Sequence, residues 1–344
     1  MQRICRTLSR QGYEVKLIGR IKNISVGLAK FEFDTHRFSC FFESGAMFYA
    51  EYNLRLFLYL LKAKSDAISA VDLDTILACR MASWLKHKPL FFDAHELFTE
   101  VPELKDKRTI KKIWAAIGRI FISRKINAYT VNDSLATLLS SQYDTEFQSI
   151  YNYPLKSEST TSDTIEGHVK ILYQGMVNQG RGLIEVIDAI KDQDDFALDI
   201  IGTGDIYQEV QSSIKNSKTK INLSGFIPPK DLPHLTSKYH IGINLLDRES
   251  GNYYHSSANK FFDYIMAGLP IISMDFPEYR KVVDQYEVGV LIPDLKPESI
   301  LAAVQQIVSD YSHYRNNCLK ARQFLHWESQ EKRLIDLYSS VLES

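Results

Sequence analysis

Short apolar runs alternate with longer stretches of helical period along the whole of this 344-residue chain. The first half carries YEVKLIG, SDAISAV, PLFFDA, NAYTVN and FQSIYN, and the second carries VKILYQG, FALDIIGTG, KINLSGF, IGINLL, PIISM and VGVLIP. Brief runs rich in Val, Ile and Phe, bounded by Gly, Pro, Asn or Asp, read as strands. Strands that recur between amphipathic helices predict an α/β fold with parallel sheets. Between the halves, YPLKSESTTSDTIEGH (residues 153–168) has no apolar period and is rich in Ser and Thr, which predicts a linker. A chain of this length exceeds one typical core, so the pattern predicts an N-terminal domain over 1–152 and a C-terminal domain over 169–327. WESQEKRLIDLYSSVL then forms an amphipathic helix, about 328–344, that either ends the second domain or crosses back onto the first. The opening RICRTLSRQGYEVKLIG reads as helix, glycine turn and strand. A doubly wound domain normally opens on a strand and a glycine-bearing loop, so the first strand of the N-terminal domain is expected to be missing.

Composition narrows the partners. Lys+Arg 41 against Asp+Glu 42 leaves a formal charge of -1, which argues against nucleic acid and confines any basic site to a local patch. The four cysteines, Cys5, Cys40, Cys79 and Cys318, lack metal or disulfide-framework spacing and read as buried thiols of a reducing compartment. No apolar run long enough to span a bilayer occurs, so a cytoplasmic protein is expected, with peripheral membrane association as an option. The most basic window, Lys105–Lys125, places Trp114, Ile117 and Phe121 on one helical face. That window fits either an anionic membrane surface or a surface helix whose stripe faces the core.

The segment NYYHSSANKFFDYIMAGLP, Asn252–Pro270, carries the densest chemistry. Ser257 can cap a helix whose first turn holds Asn259 and Lys260, with Asp263 one turn on and Gly268 at its end. The amides and the ammonium at such a helix start suit a phosphate, and the carboxylate suits sugar hydroxyls. Together they describe a site for a nucleotide diphosphate sugar; the other reading is an amphipathic helix with Phe261, Phe262, Ile265 and Met266 packed inward.

Strand ends supply the remaining candidates, because open α/β sheets bind ligands there. After VKILYQ, the stretch Gly175–Gly182 brings Gly180 and Arg181 to a helix start, where a guanidinium fork suits a diphosphate or is simply a surface charge. After LDII, Gly202-Thr203-Gly204 lacks the third glycine of a dinucleotide fingerprint. Asp72-Leu73-Asp74 imitates a metal-binding Asp-x-Asp pair, but no further acid is placed to complete a site, so a loop cap or acceptor contact is the expected role. His95 lies between Asp93 and Glu96, either of which could orient its ring for a structural or a functional role.

In order and spacing, VKILYQGMVNQGRGLIEVI, LDIIGTGD, LSGF and SSANKFFDYIMAGLPII resemble the nucleotide-sugar half of family 4 glycosyltransferases, retaining enzymes of the GT-B fold. FFDAHELF and GYEVKLIG resemble that family's acceptor domain, so the likeness covers nearly the whole chain and favours a C-terminal helix that crosses back. It implies two doubly wound Rossmann-like domains facing each other across a cleft. By the resemblance Arg181 neutralises the donor diphosphate, Lys260 and the amides from Ser257 through Ala258 and Asn259 meet the phosphate and sugar, and Asp263 holds the ribose. His95 falls near the transferred sugar, Gly225-Phe226-Ile227 on the base-binding loop, and Asp72, Asp74 and Glu96 on the acceptor side. Two positions depart from the commoner pattern: His255 stands for the first glutamate of the paired-glutamate motif, and Met176 for an arginine after the strand glycine.

The resemblance implies a transferase moving a sugar from a nucleoside diphosphate donor to a cell-surface glycan or lipid-linked acceptor, with no cofactor and no essential metal. A nucleotide-sugar 2-epimerase on the same frame and a transferase-derived binding protein are the alternatives.

Overall fold

The structure, a computed structural model, describes residues 1–22, 30–101, 104, 107–122 and 126–343. The chain divides into two units, Met1–Tyr151 with Gln330–Ser344, and Asn152–Ser329. Both are parallel α/β layers.

In the first unit, helix Gln2–Arg10 leads through Gly12, at φ 99°, into β1 (Lys16–Arg20), which pairs in parallel with β2 (Asp34–Phe38). A four-stranded sheet follows in the order β3 (Ile68–Val71), β4 (Leu90–Ala94), β5 (Asn127–Thr130) and β6 (Phe147–Ser149). Every residue of β4 (LFFDA) is buried, Asp93 included, as in a strand covered on both faces. β2 is absent from the apolar runs of the sequence, because DTHRF sits at a half-exposed edge pair and needs no buried stripe.

Helix Glu328–Leu342 belongs mostly to this unit. Tyr338 stacks on Phe91 with ring centroids 3.9 Å apart, and its hydroxyl lies 3.4 Å from that of Tyr129. Thr7 Oγ1 donates to Glu331 at 2.6 Å. Helix Arg108–Phe121 buries Trp114 against Tyr49 and Phe98, and Ile117 and Phe121 pack on the core beside it. The apolar stripe read from the basic window therefore faces inward. Lys105, Asp106 and residues 123–125 of that window lie outside the described residues.

The second unit is one six-stranded parallel sheet in the order β12-β11-β10-β7-β8-β9, with β7 (Val169–Gln174), β8 (Phe196–Ile201), β9 (Lys220–Ser224), β10 (Ile241–Asn244), β11 (Ile271–Met274) and β12 (Gly289–Ile292). This is a doubly wound order with its switch point between β7 and β10. Helix Asn259–Ala267 packs so closely on β10 that a Cβ at Gly242 would overlap the Tyr264 ring. Tyr264 also accepts a bond from Gln174 N at 3.0 Å, which locks the helix to the end of β7.

Residues 153–168 contain no helix or strand. Thr161 is buried; its amide donates to Ala267 O and its hydroxyl to Gly268 O, both at 2.9 Å, and Arg315 Nη2 donates to Thr161 O at 2.9 Å. A segment expected as a linker is in this part a strap that satisfies the carbonyls at the end of helix Asn259–Ala267.

Candidate functional site

At the switch point, the loop after β7 and the loop after β10 are bound together: Asp247 N donates to Gly180 O at 2.9 Å. Gly180, at φ 76°, holds a backbone conformation strained for other residues, and an added Cβ would lie a tight 3.2 Å from the Tyr253 ring. Gly182, also left-handed, is the N-cap of helix Leu183–Ile190, so Arg181 stands immediately before that helix.

The two cations named by the sequence converge here. The guanidinium carbon of Arg181 is 4.7 Å from the centroid of the Tyr253 ring, and Lys260 Nζ is 3.7 Å from that of Tyr173. Lys260 is 8% exposed, and neither its Nζ nor the buried Nε of Arg181 has a hydrogen-bond partner. Burial, and then the charge of Arg181, hold the Lys260 amine well below its ordinary pKa. The same two features oppose each other at Tyr173, whose hydroxyl burial raises despite Arg181 and which donates to Met176 O at 2.5 Å. Gly175, at φ 137°, closes over this pair, and a Cβ there would sit 3.5 Å from Lys260 Nζ.

The helix start differs from its sequence reading in two ways. Its N-cap is Ala258, with no side-chain cap, in place of Ser257. Tyr279 Oη accepts the Ala258 amide at 3.1 Å and pairs with Ser256 Oγ at 3.1 Å. The amide at 258 is thus already engaged, which takes it out of the donor set expected for phosphate. Asn259 Oδ1 accepts from Asn152 Nδ2 at 3.0 Å. Asp263 is half-buried one turn further along, and His255 closes the short helix Gly251–Tyr254, its pKa lowered by burial against the opposing charge of Glu278.

Gly202 and Gly204 serve contact between loops: a Cβ at Gly204 would overlap Val177 O, and Val177 N donates to Thr203 O at 3.0 Å. Phe226 stands 72% exposed after β9, with Ile227 half-buried beside it. Tyr173, Tyr253 and Tyr279 escaped the sequence reading. Their only signal was a tyrosine placed near the carboxyl end of a strand, as at Tyr173, or in the first helix that follows one, as at Tyr253 and Tyr279.

The first unit gathers a separate cluster at the ends of β3 and β4. Asp93 is 1% exposed, and its Oδ2 lies 3.0 Å from His95 Nε2. A carboxylate only accepts, so Nε2 carries the proton. Burial would lower the His95 pKa, but Asp93 and then Asp72 outweigh it and raise it. Asp72, at φ 55°, accepts the His95 amide at 2.7 Å, and its own amide donates to Asp93 O at 2.8 Å. The loop-cap role for Asp72 is therefore satisfied. Burial lifts Asp72 to about 7 and Asp74 to about 6, and Glu96 adds to both. Among the described residues no group of three or more His, Cys, Asp or Glu side chains could hold a metal ion.

Asp93→Asn is expected to lower the His95 pKa, read by NMR titration of the imidazole. Because the folded value is raised, the pair stabilises the fold below the unfolded histidine value and that contribution fades as pH rises through the folded one. The variant should accordingly lose more stability at acidic pH than at alkaline pH; an unchanged His95 titration would contradict the pairing.

Residues 169–310 match the family model described as glycosyl transferases group 1. A search of curated protein sequences gave no match. Sucrose-phosphate synthase from Thermosynechococcus elongatus superposes with a TM-score of 0.77 at 13% identity, covering 99% of this chain and 92% of that one. WaaG, a glycosyltransferase involved in lipopolysaccharide biosynthesis, gives 0.71 at 14% identity over 97% and 94%. HepE of Anabaena in complex with UDP-glucose gives 0.69 at 13% over 90% and 86%. The second unit therefore matches the group 1 glycosyltransferases over most of its length, at the strand ends where the two cations meet, and the chain as a whole has the GT-B fold of these solved structures.

Proposed function

We propose that the chain moves a sugar, with retention of configuration, from a nucleoside diphosphate sugar to a cell-surface glycan or lipid-linked acceptor at the cytoplasmic face of a membrane. One observation carries the donor half: two cationic side chains at the switch point, Arg181 and Lys260, hold buried nitrogens with no acceptor. Buried polar groups are almost always satisfied, so a pair left open marks where an anion enters. A diphosphate supplies the charge and the acceptors that both nitrogens lack. Asp263 is then suited to the ribose hydroxyls, Phe226 to the base, and His255 and Asn259 to the sugar end. HepE binds UDP-glucose, which supports a donor of that class.

Retention needs no covalent nucleophile. The acceptor oxygen bonds to the anomeric carbon from the face that the diphosphate leaves, the carbon–oxygen bond to phosphate breaks, and the acceptor proton passes to the departing phosphate oxygen. Catalysis then rests on positioning and on the two cations stabilising the leaving charge. His95, held in one tautomer by Asp93, is proposed as a contact to the transferred sugar, with Asp72, Asp74 and Glu96 on the acceptor side. No metal is required, because Arg181 and Lys260 supply the positive charge.

A thermal-shift screen with UDP, GDP, dTDP and ADP and their sugars tests the donor half. A nucleotide at a hundred times its Kd should add about 2.7 kcal/mol of stability. Failure of every nucleoside diphosphate to shift the transition would sink this reading, and an epimer formed without acceptor would replace transfer by isomerisation.

A further inference from the structure

Three neighbouring helices of the first unit each show a second apolar stripe on the side away from the core. Helix Gly45–Lys62 buries Phe48, Tyr52, Leu56 and Leu60, yet exposes Leu54, Leu58 and Leu61, at positions i, i+4 and i+7. Helix Ile76–Lys86 exposes Met81, Trp84 and Leu85, and helix Arg108–Phe121 exposes Ile110, Ile113 and Ile120. The first and second helices pack together, as do the second and third, and Tyr49 of the first meets Trp114 of the third edge-on at 5.1 Å. Isolated exposed leucines are ordinary, but ten large apolar side chains, these and Met47, on three adjoining helices are not.

Charge on these helices is nearly all positive. They carry eight Lys or Arg and a single acid, Glu51. That acid is used internally, accepting from the amides of Phe41 and Phe42 and from Arg55 Nε at 2.8 Å. Lys107, just before the third helix, and Arg108, Lys112 and Arg119 on it are exposed. A second copy docking face to face would oppose like charges, whereas anionic lipid headgroups would neutralise them. No helix among the described residues is long and apolar enough to cross a membrane, so such a surface lies on the bilayer.

We infer that the joint outer face of helices Gly45–Lys62, Ile76–Lys86 and Arg108–Phe121 docks on an anionic lipid surface. Trp84, Leu85, Leu58 and Ile113 enter the boundary between headgroups and acyl chains, and the bases around them bind lipid phosphates. This deepens the membrane part of the proposed function, and it is tested without donor or acceptor, so its failure and that of sugar transfer are told apart.

The chain holds its own probe. Of its tryptophans, Trp84 is 72% exposed while Trp114 and Trp327 are 9% and 2% exposed. Adding vesicles of equal parts phosphatidylglycerol and phosphatidylcholine to the full chain should shift its tryptophan emission to the blue and carry it into the pellet. Vesicles of phosphatidylcholine alone should do neither. The variant Leu58→Ser with Ile113→Ser should lose sedimentation while its thermal unfolding stays cooperative, with a midpoint near that of the wild type. Lys112→Glu with Arg119→Glu should weaken sedimentation by more than about 30-fold, since each base near an anionic surface is worth about fivefold in partition. Three results would overturn the inference: wild-type chain that stays in the supernatant, binding unaffected by both variants, or a solution dimer that Leu58→Ser with Ile113→Ser dissociates.

Discussion

Lys260→Met is expected to raise the stability of the second unit while removing its affinity for nucleoside diphosphates. The wild-type amine is buried with no acceptor, and an unsatisfied buried donor costs about 1–3 kcal/mol. Methionine has a similar length, no donor, and a polarisable sulfur that packs well against an aromatic ring such as Tyr173. Contact with that ring recovers part of the cost while the amine is charged, so the gain should lie at the lower end of that range. Each kcal/mol corresponds to about 2–4 °C in Tm for a unit of this size.

The pH dependence of that gain is fixed by sign. Burial and Arg181 hold the folded Lys260 pKa below its unfolded value, so the native chain binds fewer protons than the unfolded chain between the two. Wild-type stability therefore rises with pH through that interval, and the advantage of the methionine variant should shrink as pH approaches about 10, near the unfolded lysine value. Donor binding has the opposite effect on the proton, because a diphosphate beside Lys260 favours the ammonium. Calorimetry in two buffers of different ionisation enthalpy should show proton uptake on UDP binding by the wild type. A methionine variant that melts lower and binds UDP as before would remove Lys260 from the donor site.

The difference between what the sequence announced and what it concealed follows burial. Runs such as VKILYQG and PIISM lie in strands buried at nearly every position, where apolar residues predominate, so their outline is visible in one dimension. β2 lies at a half-exposed pair, where Asp34, Thr35 and Arg37 are tolerated, and its pattern is erased. Arg181 and Lys260 were legible because charges at a strand end or a helix start stand out against apolar surroundings. Tyr173, Tyr253 and Tyr279 were not, since an aromatic residue in an apolar context reads as core until the ring is found beneath a cation or its hydroxyl beneath an amide. The cap at Ala258 rather than Ser257 is a shift of one residue, yet it changes which amides stay open. The outer stripes of the first unit are present in the sequence, but a helix that is apolar on two sides cannot tell from its own period which side meets the core.

Replacing Arg181 with Ala should lower kcat about 100-fold or more, the loss seen when a preorganised donor to developing charge is removed, equivalent to about 2.7 kcal/mol of transition-state stabilisation. The diphosphate already carries charge in the ground state, so donor KM should rise as well. The leaving phosphate oxygen gains further charge as its bond to the sugar breaks, which places part of the loss in kcat. Arg181→Lys should recover part of the rate, because it keeps the charge and loses the planar fork that binds two oxygens at once. The two cations also act on each other: Arg181 depresses Lys260, so its removal leaves the lysine easier to protonate and a better partner for the diphosphate. The combined Arg181→Ala, Lys260→Met variant should therefore lose more than the product of the single losses, a departure that a double-mutant cycle on kcat/KM measures directly. Strict multiplicativity would mean that the two side chains do not share an anion, and a near wild-type rate for Arg181→Ala alone would take the guanidinium out of the mechanism.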